Sequence, residues 1–482
     1  MKDFATEVVD LLDAKQVDYG DVRIIDTATQ SIDVKNGKVE AIASSDDLGF
    51  GVRLLANGAW GFASSSRLEK AEAERVVDEA LAIARASATV CTKPVELTRR
   101  QPRQDSYKSR WKENPIDVPL HEKIDLLLAA DELLRKEKAV KISEASMAFY
   151  RTKKVFASTE GYMIDQEIIE SGGGLSATAV KENEVQVRSY PNSFRGNYAT
   201  SGYEFVRAMD LVKHAPRVAE EAAQLLVAPQ CPSEVTTIIL DSDQLALQVH
   251  ESIGHPIELD RVLGTEASYA GTSFVTIDKL GTFRYGSDKV TVVADATVPG
   301  GLGTFGYDDE GTDGQRVTVV DKGIFVGYLT SRETAPVIGR ESGGAMLADG
   351  WNRIPLIRMT NINLEPGEWS LADLIADTDK GIFFSTNKSW SIDDRRLNFQ
   401  FGTEIAWEIE GGRLGRIYKN PNYTGITPEF WNSCDAVCKK DHWQLWGLLN
   451  CGKGEPGQAM HVGHGTAPAR FRNVRVGIAP SS

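Results

Sequence analysis

Two of the chain's seven histidines fall in one short run, His250-Glu251-Ser252-Ile253-Gly254-His255, with a glutamate directly after the first. Imidazole nitrogens bind divalent metals, and an adjoining carboxylate can take a proton from water. In the HExxH arrangement of metal-dependent hydrolases the two histidines lie four apart and share a helix face. Here they lie five apart, about 140° around a regular α-helix. Gly254 tolerates unusual backbone angles, and Pro256 disfavours helical geometry at His255. The helix is therefore expected to end at about Gly254, with His255 swinging back toward His250 from the first non-helical position. The alternative is a pair of solvated histidines at a helix end.

A catalytic zinc site has three protein ligands and a water, so a third donor must come from elsewhere. Cys451, in Asn450-Cys451-Gly452-Lys453-Gly454, is one candidate, and Lys453 beside it could lower the thiol pKa. Cys434, Cys438 and His442 are spaced at four and four; if helical, they share a face and could hold a metal by themselves. His461 and His464 form a third option. Spacing does not choose among the three. The glycine-rich stretch Val298–Gly311 ends in Asp308, Asp309 and Glu310, which would repel phosphate. It reads as a turn near the active cleft whose carboxylates could meet a substrate amino group.

The elements that must position these groups read as α+β: helix-bearing N-terminal lobes followed by a β-rich C-terminal domain. Phe4–Ala14 and Leu68–Ala88 have helical periodicity. Asn36-Gly37 and Asn57-Gly58 mark two hairpins, because a type I′ turn needs positive φ at both central residues. The expected divisions are 1–91 (an α+β lobe), 92–119 (a polar linker with four prolines), 120–228 (a second α+β segment) and 233–482 (the β-rich domain). Within the second segment, His121–Lys136 and Glu204–Val227 read as helices and Gly172–Gly174 as a turn. Before the histidine run, Val235–Leu240 reads as a strand and Asp241 or Ser242 as a helix cap. Leu245, Val249 and Ile253 then recur as a buried stripe.

The 482 residues carry 54 Lys+Arg against 68 Asp+Glu, a net charge of −14. That balance and the lack of a dense basic cluster argue against direct nucleic-acid binding. No apolar run is long enough for a membrane span, and the N-terminus lacks a signal-peptide core. Five cysteines are an odd number for a disulfide scaffold and point to a reduced, cytoplasmic setting.

The combination of HESIGH (His250–His255), GFGVRLLANGAWGFASSS (Gly49–Ser66), ATVPGGLGTFGYDDEG (to Gly311) and NCGKGEPGQAMHVGHG (Asn450–Gly465) resembles the TldD/PmbA metalloproteases, a family also labelled modulator of DNA gyrase. The likeness runs from about Ala5 to Gly477. It implies Zn2+ held by His250, His255 and Cys451, with Glu251 as the catalytic base, and places the chain with the catalytic, TldD-type subunit. It implies a zinc peptidase acting on peptides or unfolded segments, working as a homodimer or as a heterodimer with a motif-less sister subunit. The rival reading is a non-catalytic partner or gyrase regulator, which a fourth coordination position closed by His461 or His464 would favour. A cysteine hydrolase using Cys451 is a third reading.

Overall fold

The computed structural model describes residues 1–268 and 271–477; the last positions of the expected C-terminal domain, 478–482, lie outside them. The α+β organisation holds, but the two N-terminal lobes share one sheet. Strands β1 (Tyr19–Lys35), β2 (Lys38–Ala56), β3 (Ala59–Ser65), β4 (Arg103–Lys108), β5 (Val140–Ser158) and β6 (Tyr162–Lys181) run in the order β3-β2-β1-β5-β6-β4. Two shorter strands, β7 (Glu184–Tyr190) and β8 (Asn197–Ala199), also pair with β6. Both asparagine–glycine turns form, with positive φ at Asn36, Gly37, Asn57 and Gly58.

Strand alternation explains how one sheet serves two helical layers. Val22 and Ile24 of β1 lie under α1 (Lys2–Ala14) and α2 (Lys70–Ala88). Ile32 and Val34, on the same strand face, lie under α3 (Leu120–Leu134), α4 (Tyr203–Met209) and α5 (Leu211–Leu225). The opposite face is not left to water. It carries Asp21, Arg23, Arg53 and Gln166, all buried against the C-terminal half.

Three local expectations change. The stretch expected as a linker contains β4, parallel to β6. The single helix expected over Glu204–Val227 is broken at Asp210, whose backbone is left-handed. Gly172–Gly174 is no turn but the middle of β6, where a Cβ on Gly172 would lie 2.2 Å from the Tyr198 ring and one on Gly174 2.4 Å from the Gly196 Cα. The glycines are needed for close approach inside a strand.

The C-terminal half is strand-rich around a single large core. Its seven-stranded sheet places β9 (Glu234–Leu240) between strands Lys380–Ile392 and Ala469–Val476. A separate hairpin pairs Gln444–Lys453 with Gln458–Thr466. Among the described residues no helix is long and apolar enough to cross a membrane.

Candidate metal centre

The centre is built outward from β9. Asp241 follows the strand, and its side chain accepts from the Ser242 amide at 2.8 Å, capping α6 (Ser242–Val249). Every residue of α6 is buried, and Leu245, Val249 and Ile253 are fully enclosed, as the stripe implied. The helix does not end at Gly254. Residues His250–Gly254 form a π turn, closed by the His255 amide donating to the His250 carbonyl at 3.1 Å, and His255 keeps helical angles (φ −64°, ψ −43°). The wider i→i+5 turn brings residues five apart nearly into line, which a regular α-helix would not do. The ring centroids of His250 and His255 lie 4.8 Å apart.

The sequence supports this turn in ways that differ from the expected chain reversal. Pro256 has no N–H, so the Ser252 carbonyl lacks its ordinary helical donor; the buried Tyr285 hydroxyl donates to it instead. Ser252 Oγ donates to the Gln248 carbonyl at 2.5 Å and accepts from Trp431 Nε1 at 2.9 Å. Gly254 matters for space rather than for unusual angles, because a Cβ there would sit 2.3 Å from Met359 Sδ.

Of the three candidates for a third donor, the fold brings Cys451 beside the two histidines. Donor atoms of His250, His255 and Cys451 all lie within 4.8 Å of one another, and among the described residues these are the one such His/Cys/Asp/Glu group. His255 Nε2 and Cys451 Sγ are 3.8 Å apart, near the ~3.6 Å expected of a nitrogen and a sulfur on one tetrahedral ion. Each histidine's second nitrogen is committed. His250 Nδ1 meets His464 Nε2 at 2.8 Å, and His464 Nδ1 faces the Ile362 carbonyl at 3.4 Å. His255 Nδ1 meets Glu258 Oε2 at 3.1 Å. Such outer contacts fix ring tautomer and aim, leaving Nε2 of each ring for the ion.

The electrostatics suit metal binding. Burial pulls the His250 and His255 pKa values down, against the opposing pull of Glu251 on the first and of Cys451 and Glu258 on the second. Burial pushes the Cys451 thiol up, but His255 and Arg358 outweigh it and the net shift is downward, toward thiolate. Lys453 is not the cause: its ammonium is spent on Asp260 at 2.7 and 2.8 Å and on the Ile357 carbonyl. Glu258 is held well below the usual carboxylate range; burial opposes ionisation, and Lys453 and His255 overcome it. This donor set, two imidazoles and one thiol drawn toward thiolate, fits a borderline-soft divalent ion.

Glu251 is buried next to His250 and ion-pairs with Arg396. Arg396 sits in a turn with φ +63°, and among the described residues its buried Nε atom has no partner.

The other candidates lie elsewhere. Cys434 begins a strand, Cys434–Val437, and His442 lies in a short 3-10 turn accepting from the Leu371 amide, so the three form no helix face. Burial pushes both the Cys434 and Cys438 thiols up to about 12. His461 pairs with Glu170 at 2.7 Å. The acidic end of the glycine-rich stretch is buried and spent on ion pairs: Asp309 binds Lys154 at 2.5 Å and Arg23 at 3.5 Å, and Glu310 binds Arg53 at 3.3 Å. Glu258 and Arg396 were missed in the sequence. An acid three residues after His255 was a usable sign for Glu258; nothing local pointed to Arg396.

Comparison with known proteins places this arrangement. The PmbA/TldA metallopeptidase C-terminal domain matches residues 233–477, domain 1 matches 20–84 and the central domain matches 113–228. A protein of Methanocaldococcus jannaschii named a metalloprotease is 32% identical over 93% of this chain and 94% of its own. One of Saccharolobus solfataricus, named a zinc metalloprotease TldD homolog, is 22% identical over 89% of this chain and 90% of its own. A crystal structure from Thermotoga maritima, described as a candidate modulator of DNA gyrase, shares the fold with a TM-score of 0.77 at 18% identity, covering 98% of this chain and 99% of that one. The chain belongs to the PmbA/TldD metallopeptidase family.

Proposed function

We propose that the chain is a zinc-dependent peptidase of the catalytic, TldD-type kind, with His250, His255 and Cys451 as ligands and Glu251 as general base. The observation that carries this is the convergence of three buried donors, each histidine locked through its second nitrogen, beside a buried glutamate. When bound, zinc would polarise a peptide carbonyl and lower the pKa of a water toward about 7. Glu251 then receives the water's proton on its carboxylate and delivers it to the leaving amine nitrogen. Arg396 holds that carboxylate in place through Oε2.

Support for an enzyme over a binding protein comes from the two remaining histidines of the hairpin. Among the described residues the donor cluster holds neither of them: His464 spends its Nε2 on the His250 ring, and His461 lies on the other strand face from Cys451. Substrates are peptides or unfolded segments, and the working assembly is a homodimer or a pairing with a motif-less sister chain, as the family resemblance implies.

The test is Glu251→Gln. It should retain near-stoichiometric zinc and fold normally, while hydrolysis of a denatured peptide falls about 10²–10⁴-fold. A chelator should abolish the wild-type rate. Wild-type turnover by the glutamine variant would remove the role assigned to Glu251.

A further inference from the structure

Two sequence features play no part in the metal chemistry: the glycine-rich stretch and His461. They converge on one cavity of about 280 Å³, between the C-terminal half and the non-helical face of the N-terminal sheet. Ile25, Ile168, Leu302, Phe305, Leu347 and Met460 supply apolar walls. Tyr150, Glu170 and His461 form a polar end. The His461 and Tyr150 rings meet edge to face with centroids 4.8 Å apart.

The hydrogen-bond inventory of this end is one-sided. Glu170 takes the Nδ1 side of His461. Among the described residues His461 Nε2 and the Tyr150 hydroxyl have no partner. Burial pulls the His461 pKa down, but the charge and hydrogen bond of Glu170 prevail and the net shift is upward. Burial and Glu170 push the Tyr150 phenol up. The Tyr150 hydroxyl is thus a free donor at the cavity, and the ion pair with Glu170 favours the doubly protonated His461 ring, whose Nε2–H would be the second. The loop amides cannot serve instead, because Gly303 donates to Asn361 Oδ1 at 2.9 Å and Gly306 to Gln166 Oε1 at 3.1 Å.

We infer that this cavity is a second binding site, for an apolar molecule ending in a carboxylate, whose oxygens accept from His461 and Tyr150. Apolar walls with a few convergent polar groups are the usual form of a small-molecule site. The site is distinct from the metal centre: its lining includes none of His250, Glu251, His255 and Cys451. The carboxylate has two sources, a free hydrophobic acid or the C-terminus of a peptide ending in a hydrophobic residue.

Calorimetric titration of the zinc-loaded protein tests this with 3-phenylpropionate, 3-phenylpropanamide, and the peptide Gly-Gly-Phe as acid and as amide. An acid of about eleven heavy atoms should bind in the micromolar to millimolar range, with the matching amide at least about tenfold weaker. Binding of both acids identifies a peptide terminus as acceptable; binding of 3-phenylpropionate alone identifies a free acid. His461→Gln and Tyr150→Phe should each weaken the acid about tenfold or more, with zinc content unchanged. Equal affinity for acid and amide, no saturation by about 10 mM, or full affinity in the folded Tyr150→Phe and His461→Gln variants would overturn the inference.

Discussion

Glu258→Gln separates the aiming of a ligand from the ligand itself. The carboxylate lies 3.1 Å from His255 Nδ1, 3.4 Å from Arg261 Nε and 3.6 Å from Lys453 Nζ, with no exposed surface. Glutamine keeps the shape and can still accept from Nδ1, but it removes the charge that raises the ring's basicity. Loss of such an outer partner typically lowers metal affinity about 10–100-fold, or about 1.4–2.8 kcal/mol. The metal-free fold should suffer less than an orphaned ion pair would, because Lys453 keeps Asp260 and the Ile357 carbonyl; a loss of about 1–3 kcal/mol is expected. Competition for zinc against a chromogenic chelator reads the first quantity, and urea unfolding after zinc removal reads the second. Asp260→Asn is the control, since it disturbs Lys453 without touching His255. Wild-type zinc affinity in Glu258→Gln, or an equal loss in Asp260→Asn, would refute the reasoning.

Three further outcomes are expected. Cys451→Ala should lose bound zinc and Cys434→Ala should retain it, by metal analysis of the purified variants; the reverse would misplace the third ligand. Tyr285→Phe leaves the Ser252 carbonyl without its donor in a fully buried place, so the denaturation midpoint should fall by the equivalent of about 1–3 kcal/mol with an unchanged slope. Burial lifts Glu404 to about 7, against the pull of Arg188 and Ser189. The folded state then holds a proton that the unfolded chain has released, so this residue's contribution declines as pH rises from about 4 to about 7 at up to about 1.4 kcal/mol per pH unit. Glu404→Gln should flatten that slope in stability measured across the same range; an unaltered slope would contradict it.

What the sequence made legible follows from how local each cause is. Asn36-Gly37 and Asn57-Gly58 dictate their turns alone, because asparagine and glycine both tolerate the positive φ a type I′ turn needs. The cap at Asp241 and the stripe through Ile253 are equally local. The π turn is not. It rests on a missing amide at Pro256 and on a hydroxyl 33 residues away, so the spacing of His250 and His255 looked like a helix end. The same holds for Cys434 and Cys438. Their interval suits a helix, yet pairing of Cys434 with Phe471 and of Val437 with Ala469 draws the segment into a strand. The acids at 308–310 seemed aimed at a substrate because their partners, Arg23, Arg53 and Lys154, lie in the other half of the chain.

That last contact bears on how the chain matures during synthesis. Arg23, Arg53 and Lys154 emerge well before Asp309 and Glu310, and the paired groups are separated by 155 to 286 residues. Until the later acids arrive, the sheet face that will be covered presents Arg23, Lys154 and an Arg53 already paired with Asp21 to water. A waiting face of this kind stays hydrated and repels its copies on neighbouring ribosomes, whereas a bare apolar sheet would invite them to stick. The charges thus guard the half-made protein first and clamp the finished one afterwards.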